Sequence, residues 1–483
     1  MSKRLAVLIA AAILPALTFA IPARAQAKQY PYRLVDPGTF GGPGSFLTLP
    51  GSITRNGTVI GTADTITPDP DLPVSHCAPF CDGYVQHAFA WRSGRLVDLG
   101  ALAPAAHNSS AIYQLNGNGV GTGESENGRI DPLTGSPSQE ATVFEHGRVV
   151  GLGTLGGYDS GGGDINSRGQ VIGFSTTSTR DPFPSEQQYY LPFVDEIRGF
   201  VWRDGVMRDL GTLGGPDAFS VFQNQRGQIA GWSDTNWRLH ATTGAPTIDP
   251  FLWQDGRMID LGGLGGRLGF VNWLNDKGEV VGQSDLPGDH NAQPFLWQQG
   301  HCMRELPTIG GGYGFANFIS PQGDISGSYL APPHQKYFHG FLWRGGHMTD
   351  LPPVGGAPNA FGNAVNDHGQ VVGNENNATN TEELIAALWS GGHGYDLNTL
   401  VAPSDFQMIS ADYINNRGEI FGHGLYTSGP NAGDARVFVL IRNPRVPLPP
   451  ASTPARPLPA ITGPPDRSIS VILALHAAHR GSV

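Results

Sequence analysis

The chain has 483 residues, of which 30 are basic and 41 acidic, for a formal net charge of −11. So acidic a chain, with no basic patch along it, repels phosphate backbones and excludes nucleic acid as a partner.

The N-terminus runs from charged to apolar to small: Lys3 and Arg4, the stretch Leu5 to Leu14, then Ala23, Arg24 and Ala25. This is the order of a cleavable secretory signal over residues 1–25, with Gln26 opening the mature chain, and it predicts a secreted or periplasmic, extracellular protein. The apolar stretch falls short of the ~20 residues a bilayer span needs. No later segment offers a second candidate, so no integral membrane span is expected.

Between Tyr30 and Asn443 one unit recurs, clearest as FLWQDGRMIDLGGLGG followed by WLNDKGEVVGQSD. Self-similarity at a period of roughly 40 to 50 residues marks a propeller or a solenoid. Two turns punctuate each unit. The first is a dipeptide ending in glycine, such as Ser93-Gly94, Asp204-Gly205, Asp255-Gly256 or Gly345-Gly346, which suits a two-residue hairpin needing positive φ at its centre. The second runs from Asn to Gly three residues on, as in Asn166 to Gly169, Asn224 to Gly227 and Asn275 to Gly278, the signature of a type I turn closed by a left-handed glycine. Two hairpins per unit make one four-stranded antiparallel sheet, the size of a propeller blade.

Strands ending near Gly61, Gly123, Gly173, Gly231, Gly282, Gly327, Gly373 and Gly422 give eight units. The second unit is degraded at Val149 to Gly151, which keeps seven blades as the alternative. The first unit opens at YRLVDPGTFGG with no FLW strand before it, and the last ends on Val437 to Leu440 with no DLG strand after it. Each end lacks what the other has. The expected fold is therefore all-β, a β-propeller over residues 26–443 whose ring is closed by the N-terminal strand, leaving no open sheet edge.

In pattern the unit resembles a WD-repeat blade, without the Trp-Asp signature. It is more closely similar to the bacterial extracellular repeat family named for its His-Ala-Phe tripeptide, present at His87-Ala88-Phe89 and nearly so at His339-Gly340-Phe341, with the DLGTLGG core at Asp209 to Gly215. The resemblance covers the mature chain except its tail and implies the repeat fold. It carries no activity.

Repetition also sorts the side chains. Trp91, Trp202, Trp253, Trp297, Trp343 and Trp389 share one slot, which assigns them to packing rather than to a ligand. The Asp of DLG recurs at Asp36, Asp98, Asp209, Asp260, Asp350 and Asp396, with Glu305 substituting and Gly151 lacking it. A carboxylate needed once per blade is expected to bond backbone amides. An acid–base pair needs two unlike environments, which a repeated residue cannot supply.

Function is expected where the repeat breaks, in the linkers opposite the tight turns. These swell at 65–86, 126–140, 176–198, 234–250, 330–338 and 374–385. Their off-pattern side chains Tyr84, Tyr189, Tyr190, Trp237, His240, His334 and Tyr337 are the candidate ligand-binding residues, suited to stacking on sugars or meeting a protein. Asp195, Glu196, Glu382, Glu383 and Glu186 are the off-pattern acids. Cys77 and Cys81 are expected to form a local disulfide in an oxidising compartment. His76 and His87 alone do not complete a zinc site and Cys302 lies in another repeat, so no metal and no cofactor are expected. No phosphate-loop, nucleophile-elbow or zinc-helix motif occurs in the sequence, and no catalytic residue is assigned.

Past Asn443, nine prolines between Pro444 and Pro465 predict an extended, disordered tail over 444–483. The sequence is thus read as a secreted, monomeric, non-catalytic module binding an extracellular glycan or protein. A polysaccharide-cleaving enzyme and a structural envelope or matrix component are the alternatives.

Overall fold

Each repeat folds as its turns dictate. In the first turn Ser93 and Gly94 take φ of 52° and 85°, and Asp255 and Gly256 take 52° and 78°, the double positive φ of a primed hairpin. In the second, the Asn side chain closes the loop on itself: Asn275 Oδ1 accepts from the amides of Lys277 and Glu279, while Gly278 N–H donates to Asn275 O. The structure, a computed structural model, describes residues 28–450 apart from 49–53, 55–56, 71–82, 105–106, 184–192, 311, 333–335 and 378–379.

The described strands form eight four-stranded antiparallel sheets arranged as an eight-bladed β-propeller. Their first strands are Gly41–Phe46, Ser110–Leu115, Gly156–Ile165, Ala218–Gln223, Gly269–Leu274, Gly314–Ile319, Asn359–Val365 and Phe406–Ile414, in blades 1 to 8. From blade 2 to blade 8 the first strands of consecutive blades touch one another, which sets them around the central axis. Blade 2 is complete: its Arg148–Gly151 strand pairs with Pro137–Glu145 despite the degraded sequence, so seven blades are excluded. Blade 8 takes its outermost strand from the N-terminus, with Tyr32–Val35 paired to Ala435–Arg442. In blades 1 to 3 the swollen linkers are partly strand, since pairing continues past the expected ends as far as Pro68 with Tyr84, Ile130 with Pro137, and Arg180 with Asp195.

The core lies between blades. Phe89, Phe200, Phe251, Phe295, Phe341 and Phe438 are fully buried at equivalent places in third strands, and the neighbouring tryptophans are buried or half-buried. Each blade's second strand carries a glycine because its neighbours come too close for a side chain: a Cβ at Gly327 would run into Phe315 O of the first strand and sit 2.6 Å from the Phe341 ring of the third.

Hydrogen bonds tie the blades into two rings. At the tight-turn end, Asn116, Asn224, Asn275 and Asn366 each donate through Nδ2 to the backbone carbonyl at the equivalent position of the next blade, at 3.1 to 3.2 Å. Asn166, in blade 3, breaks this ring: its Nδ2 is buried with no partner. Midway along the first strands, Asn272, Asn317 and Asn363 donate to Ala316 O, Gly362 O and Ala411 O at 2.8, 3.0 and 3.1 Å. Thr48 bonds Ile112 O in the same manner.

The DLG aspartate does what a per-blade carboxylate should. Asp36, Asp98, Asp209 and Asp260 each accept from the amide of the glycine two residues on, at 2.7 Å. Blade 2, which has Gly151 there, supplies Glu140 from the adjacent strand instead. Its Oε1 accepts from Gly153 N–H at 2.9 Å and occupies the space that a Cβ on Gly151 would need. The His of His-Ala-Phe serves the same aspartate, His87 with Asp98 at 3.0 Å and His339 with Asp350 at 2.9 Å. Among the described residues no helix is long and apolar enough to cross a membrane.

Candidate functional site

The face opposite the tight turns carries the candidate residues, and the structure separates them. Trp237 is 57% exposed and meets Phe183 of the neighbouring blade with ring centroids 6.4 Å apart. Tyr337 is 39% exposed, with the Lys336 ammonium 5.1 Å from its ring. Tyr84 and His240 are instead bound into their own connections. Tyr84 opens the Tyr84–Arg92 strand opposite Pro68. His240 closes a turn with Ala245 and Gly244, and burial, then the charges of Arg267 and Arg238, hold its imidazole below the ordinary value. Tyr189, Tyr190, His334, Cys77 and Cys81 lie outside the described residues. Of the candidates that are described, Trp237 and Tyr337 present free aromatic surface, and they stand on different blades.

Carboxylates near this face staple blades to one another. Asp159 of blade 3 accepts from Gln139 N–H of blade 2 at 2.9 Å, and Asp217 of blade 4 from Ile197 N–H of blade 3 at 2.6 Å. Within blades, Glu126 accepts from Ser109 N–H at 2.6 Å and Glu375 from Gly355 N–H at 2.7 Å. Burial raises Asp159 to about 6 and Asp217 to about 7, against the pull of those amides. The off-pattern acids Asp195 and Glu196 pair with Arg180 at 3.7 Å and Arg198 at 2.9 Å.

One carboxylate and one imidazole do converge on the inner wall, at the seam where blade 8 meets blade 1. His423 Nδ1 lies 2.7 Å from Asp412 Oδ2, and Ser410 Oγ donates to Asp412 Oδ1 at 2.6 Å. Leu47 N–H donates to His423 Nε2 at 2.9 Å. An amide donor on Nε2 fixes the proton on Nδ1, facing Asp412, and leaves no nitrogen free to take a proton from a substrate. The trio replaces, at the closing seam, the Asn-to-carbonyl bond of blades 5 to 7.

A different stretch of the inner wall is open. From blade 2 to blade 5 the ring position that elsewhere holds Asn or Thr is Tyr113, Gly163 and Val221. Among the described residues no side chain of the preceding blade reaches the carbonyls of Gly162, Ser220 or Val271. Along this arc the rings of Phe174, Phe219, Trp232 and Phe270 follow one another at 5.1, 5.3 and 5.6 Å between centroids. Phe219, Trp232 and Phe270 are half-buried. Above them on the same blades, Ile130, Leu133, Tyr158, Trp237 and Leu239 are exposed. Tyr113 turns away from the ring to donate to Glu124 Oε1 at 2.6 Å. Burial, with the charge of Asp159, raises Glu124 to about 7 against that bond.

The arc of blades 2 to 5, with its aromatic file, its exposed apolar rim and one buried protonatable acid, is the candidate site. Such a surface can stack on and hydrogen-bond a ligand. Glu124, Phe219 and Trp232 escape a search confined to linkers, because they lie on strands. The signal that finds them is the loss of the Phe-Val-Asn run of blade 5 in favour of Gly161-Gly162-Gly163. Among the described residues no group of three or more His, Cys, Asp and Glu side chains could hold a metal ion.

No family model and no curated protein matches the chain. Among solved structures, the β-propeller domain of the trilobed protease from Pyrococcus furiosus is similar at 8% identity and a TM-score of 0.39, over 74% of this chain and 99% of that one. An oligogalacturonate lyase from Vibrio parahaemolyticus is similar at 8% identity and a TM-score of 0.38, over 80% of this chain and 98% of that one. A protein of unknown function from Dyadobacter fermentans is similar at 9% identity and a TM-score of 0.34, over 85% and 98%. At these TM-scores the likenesses carry no argument about function.

Proposed function

We propose that the protein is a secreted, non-catalytic binding module of the His-Ala-Phe repeat type, and that the open arc of blades 2 to 5 takes an extracellular carbohydrate. One observation carries the reading: the inner ring of side-chain bonds lapses over the same blades where half-buried aromatic rings and exposed apolar side chains gather. Aromatic faces beside a few polar groups are what a sugar needs, since a sugar has apolar C–H faces and hydroxyl edges. Against a polysaccharide-cleaving enzyme stands the use made of the carboxylates. Asp64, Glu126, Asp159, Asp217 and Glu375 each accept from a backbone amide, a role that holds a blade in place and competes with proton transfer.

The test is a binding screen of the chain from Gln26 against glycans and isolated cell envelopes, with released sugars assayed in the same wells. Saturable binding without product supports the reading. Sugar release would replace it with the enzyme, and binding to neither would leave the structural envelope component.

A further inference from the structure

The inner wall of blade 3 departs from the repeat in a way that packing only partly requires. Gly161, Gly162 and Gly163 stand where blade 5 has Phe270, Val271 and Asn272. Gly161 is closed in: a Cβ there would lie 2.7 Å from Glu124 Oε2 and against the Phe174 ring. Gly163 is not. A Cβ there would meet Val221 O at 3.4 Å, Ile172 O at 3.7 Å and Gly173 Cα at 3.9 Å, which are ordinary van der Waals separations. Nor is Gly163 among the residues with positive φ. Backbone and space would both accept a side chain, and the equivalent Asn272, Asn317 and Asn363 each use theirs to bond the next blade. The fold leaves this one place vacant.

Beside it stands an incompletely satisfied acid. Glu124 is 6% exposed, and its Oε1 accepts from Tyr113. Its Oε2, which faces Gly161, has no hydrogen-bond partner among the described residues. That oxygen is not fully buried, so a water or a ligand hydroxyl can reach it. Burial lifts the group to about 7, so it can donate as well as accept. The Gly162 and Ser220 carbonyls, unbonded by side chains, add acceptors, and Phe219 and Trp232 continue the wall on the far side.

We infer that the strip Gly161 to Gly163, walled by Glu124 and Tyr113, is a subsite for the hydroxyl groups of a neutral sugar residue. This rests on the binding-module reading above and names the site and the ligand class. An anionic sugar is disfavoured by the nearby carboxyls Glu124, Asp159 and Asp164. A cationic one gains little, because Tyr113, Gln139 N–H and Gln223 N–H already hold those three.

The experiment uses three chains: the wild type, Gly163→Asn and Glu124→Gln. Each is titrated with cellopentaose, xylopentaose and mannopentaose, with a chitosan pentamer and pentagalacturonate as charged comparators. The wild type should bind at least one neutral pentasaccharide. Gly163→Asn, which refills the vacancy and can reach Ser220 O, should weaken that binding at least tenfold while leaving the melting temperature unchanged or higher. Glu124→Gln, which keeps size but loses the titrating proton, should weaken it by a smaller factor. Full neutral-sugar binding by a folded Gly163→Asn would overturn the subsite and leave the module intact. Wild-type binding to the charged sugars alone would overturn the ligand class, and binding to none of the five would overturn both.

Discussion

Glu140 standing in for the missing aspartate of blade 2 makes a sharp prediction, because one side chain performs a repeat's duty from the wrong strand. Glu140→Ala removes the acceptor of Gly153 N–H and leaves that amide without its carboxylate. A hydrogen bond to a charged group is worth about 1.5–3 kcal/mol, and Glu140 is half-buried, so about 1–2 kcal/mol is expected. Gly151→Asp alone should also destabilise, since its Cβ would enter the space of the Glu140 carboxylate and set two acids face to face. Together the changes recreate the Asp-to-glycine bond of blades 1, 3 and 4, seen at Asp98, Asp209 and Asp260. The double variant should then lie within about 1 kcal/mol of the wild type, a coupling of about 2 kcal/mol where independent sites add to within about 0.5. Amide exchange at Gly153 reads the local opening directly, tenfold in protection for each ~1.4 kcal/mol. Additive losses in the double variant would refute the idea that the Asp and the Glu do the same work.

At the closing seam, His423→Leu removes the imidazole from Asp412 Oδ2 and the acceptor from Leu47 N–H. It should cost about 3 kcal/mol or more in denaturant unfolding, against about 1 for Asn363→Ala. Stability should also fall as pH rises from about 5 to 8. Burial first, in each case, raises Asp159 and Asp249 to about 6 and Glu124, Asp164, Asp217, Asp285 and Glu375 to about 7. The stability that their protonation contributes is complete below about pH 4 and is lost as pH rises through 6 and 7, with a slope of about 1.4 kcal/mol per pH unit for each group while it is protonated in the folded chain and ionised in the unfolded one. Asp98 and Asp350 act oppositely. Burial would raise them, but bonds from His87 and His339 hold them below the ordinary value, so their contribution fades only in strong acid. A melting temperature flat from pH 5 to 8 would contradict this assignment. Asn275→Asp should destabilise more than Asn166→Asp, because only Asn275 has a ring bond to lose; equal melting temperatures would count against the ring. Trp237→Ala, at a site 57% exposed, should change stability by no more than about 0.5 kcal/mol while weakening glycan binding in titration.

The repeat made the architecture legible before any coordinates. Turn residues with obligatory positive φ, such as Asp204-Gly205, fix hairpins locally, and the complementary chain ends disclose the closure. What the repeat conceals is cooperation between blades. Ser125, Ser175, Ser233 and Ser284 each accept through Oγ from the backbone amide of Leu102, Leu155, Leu213 and Leu264, which explains the Ser that recurs in the second strands. Their recurrence was visible, but their pairing depends on a distance across the blade. The site was harder still. Reasoning from loop variability pointed to linkers such as 234–250, and it reached Trp237 but passed over Glu124 and Gly163, whose meaning comes from what equivalent strands carry.

The outermost strand of blade 8 bears on how the chain assembles. Tyr32 pairs with Arg442 across nearly the whole sequence, so the first strand made waits for the last, and until they meet Ala435–Arg442 offers an unpaired backbone edge. Tyr426 then secures the join by donating from blade 8 to Asp36 at 2.9 Å. Another copy's Tyr32–Val35 could fill the same edge only by outcompeting the chain's own strand, whose tether raises its effective concentration. A dimer that exchanged this one strand would still keep every blade intact.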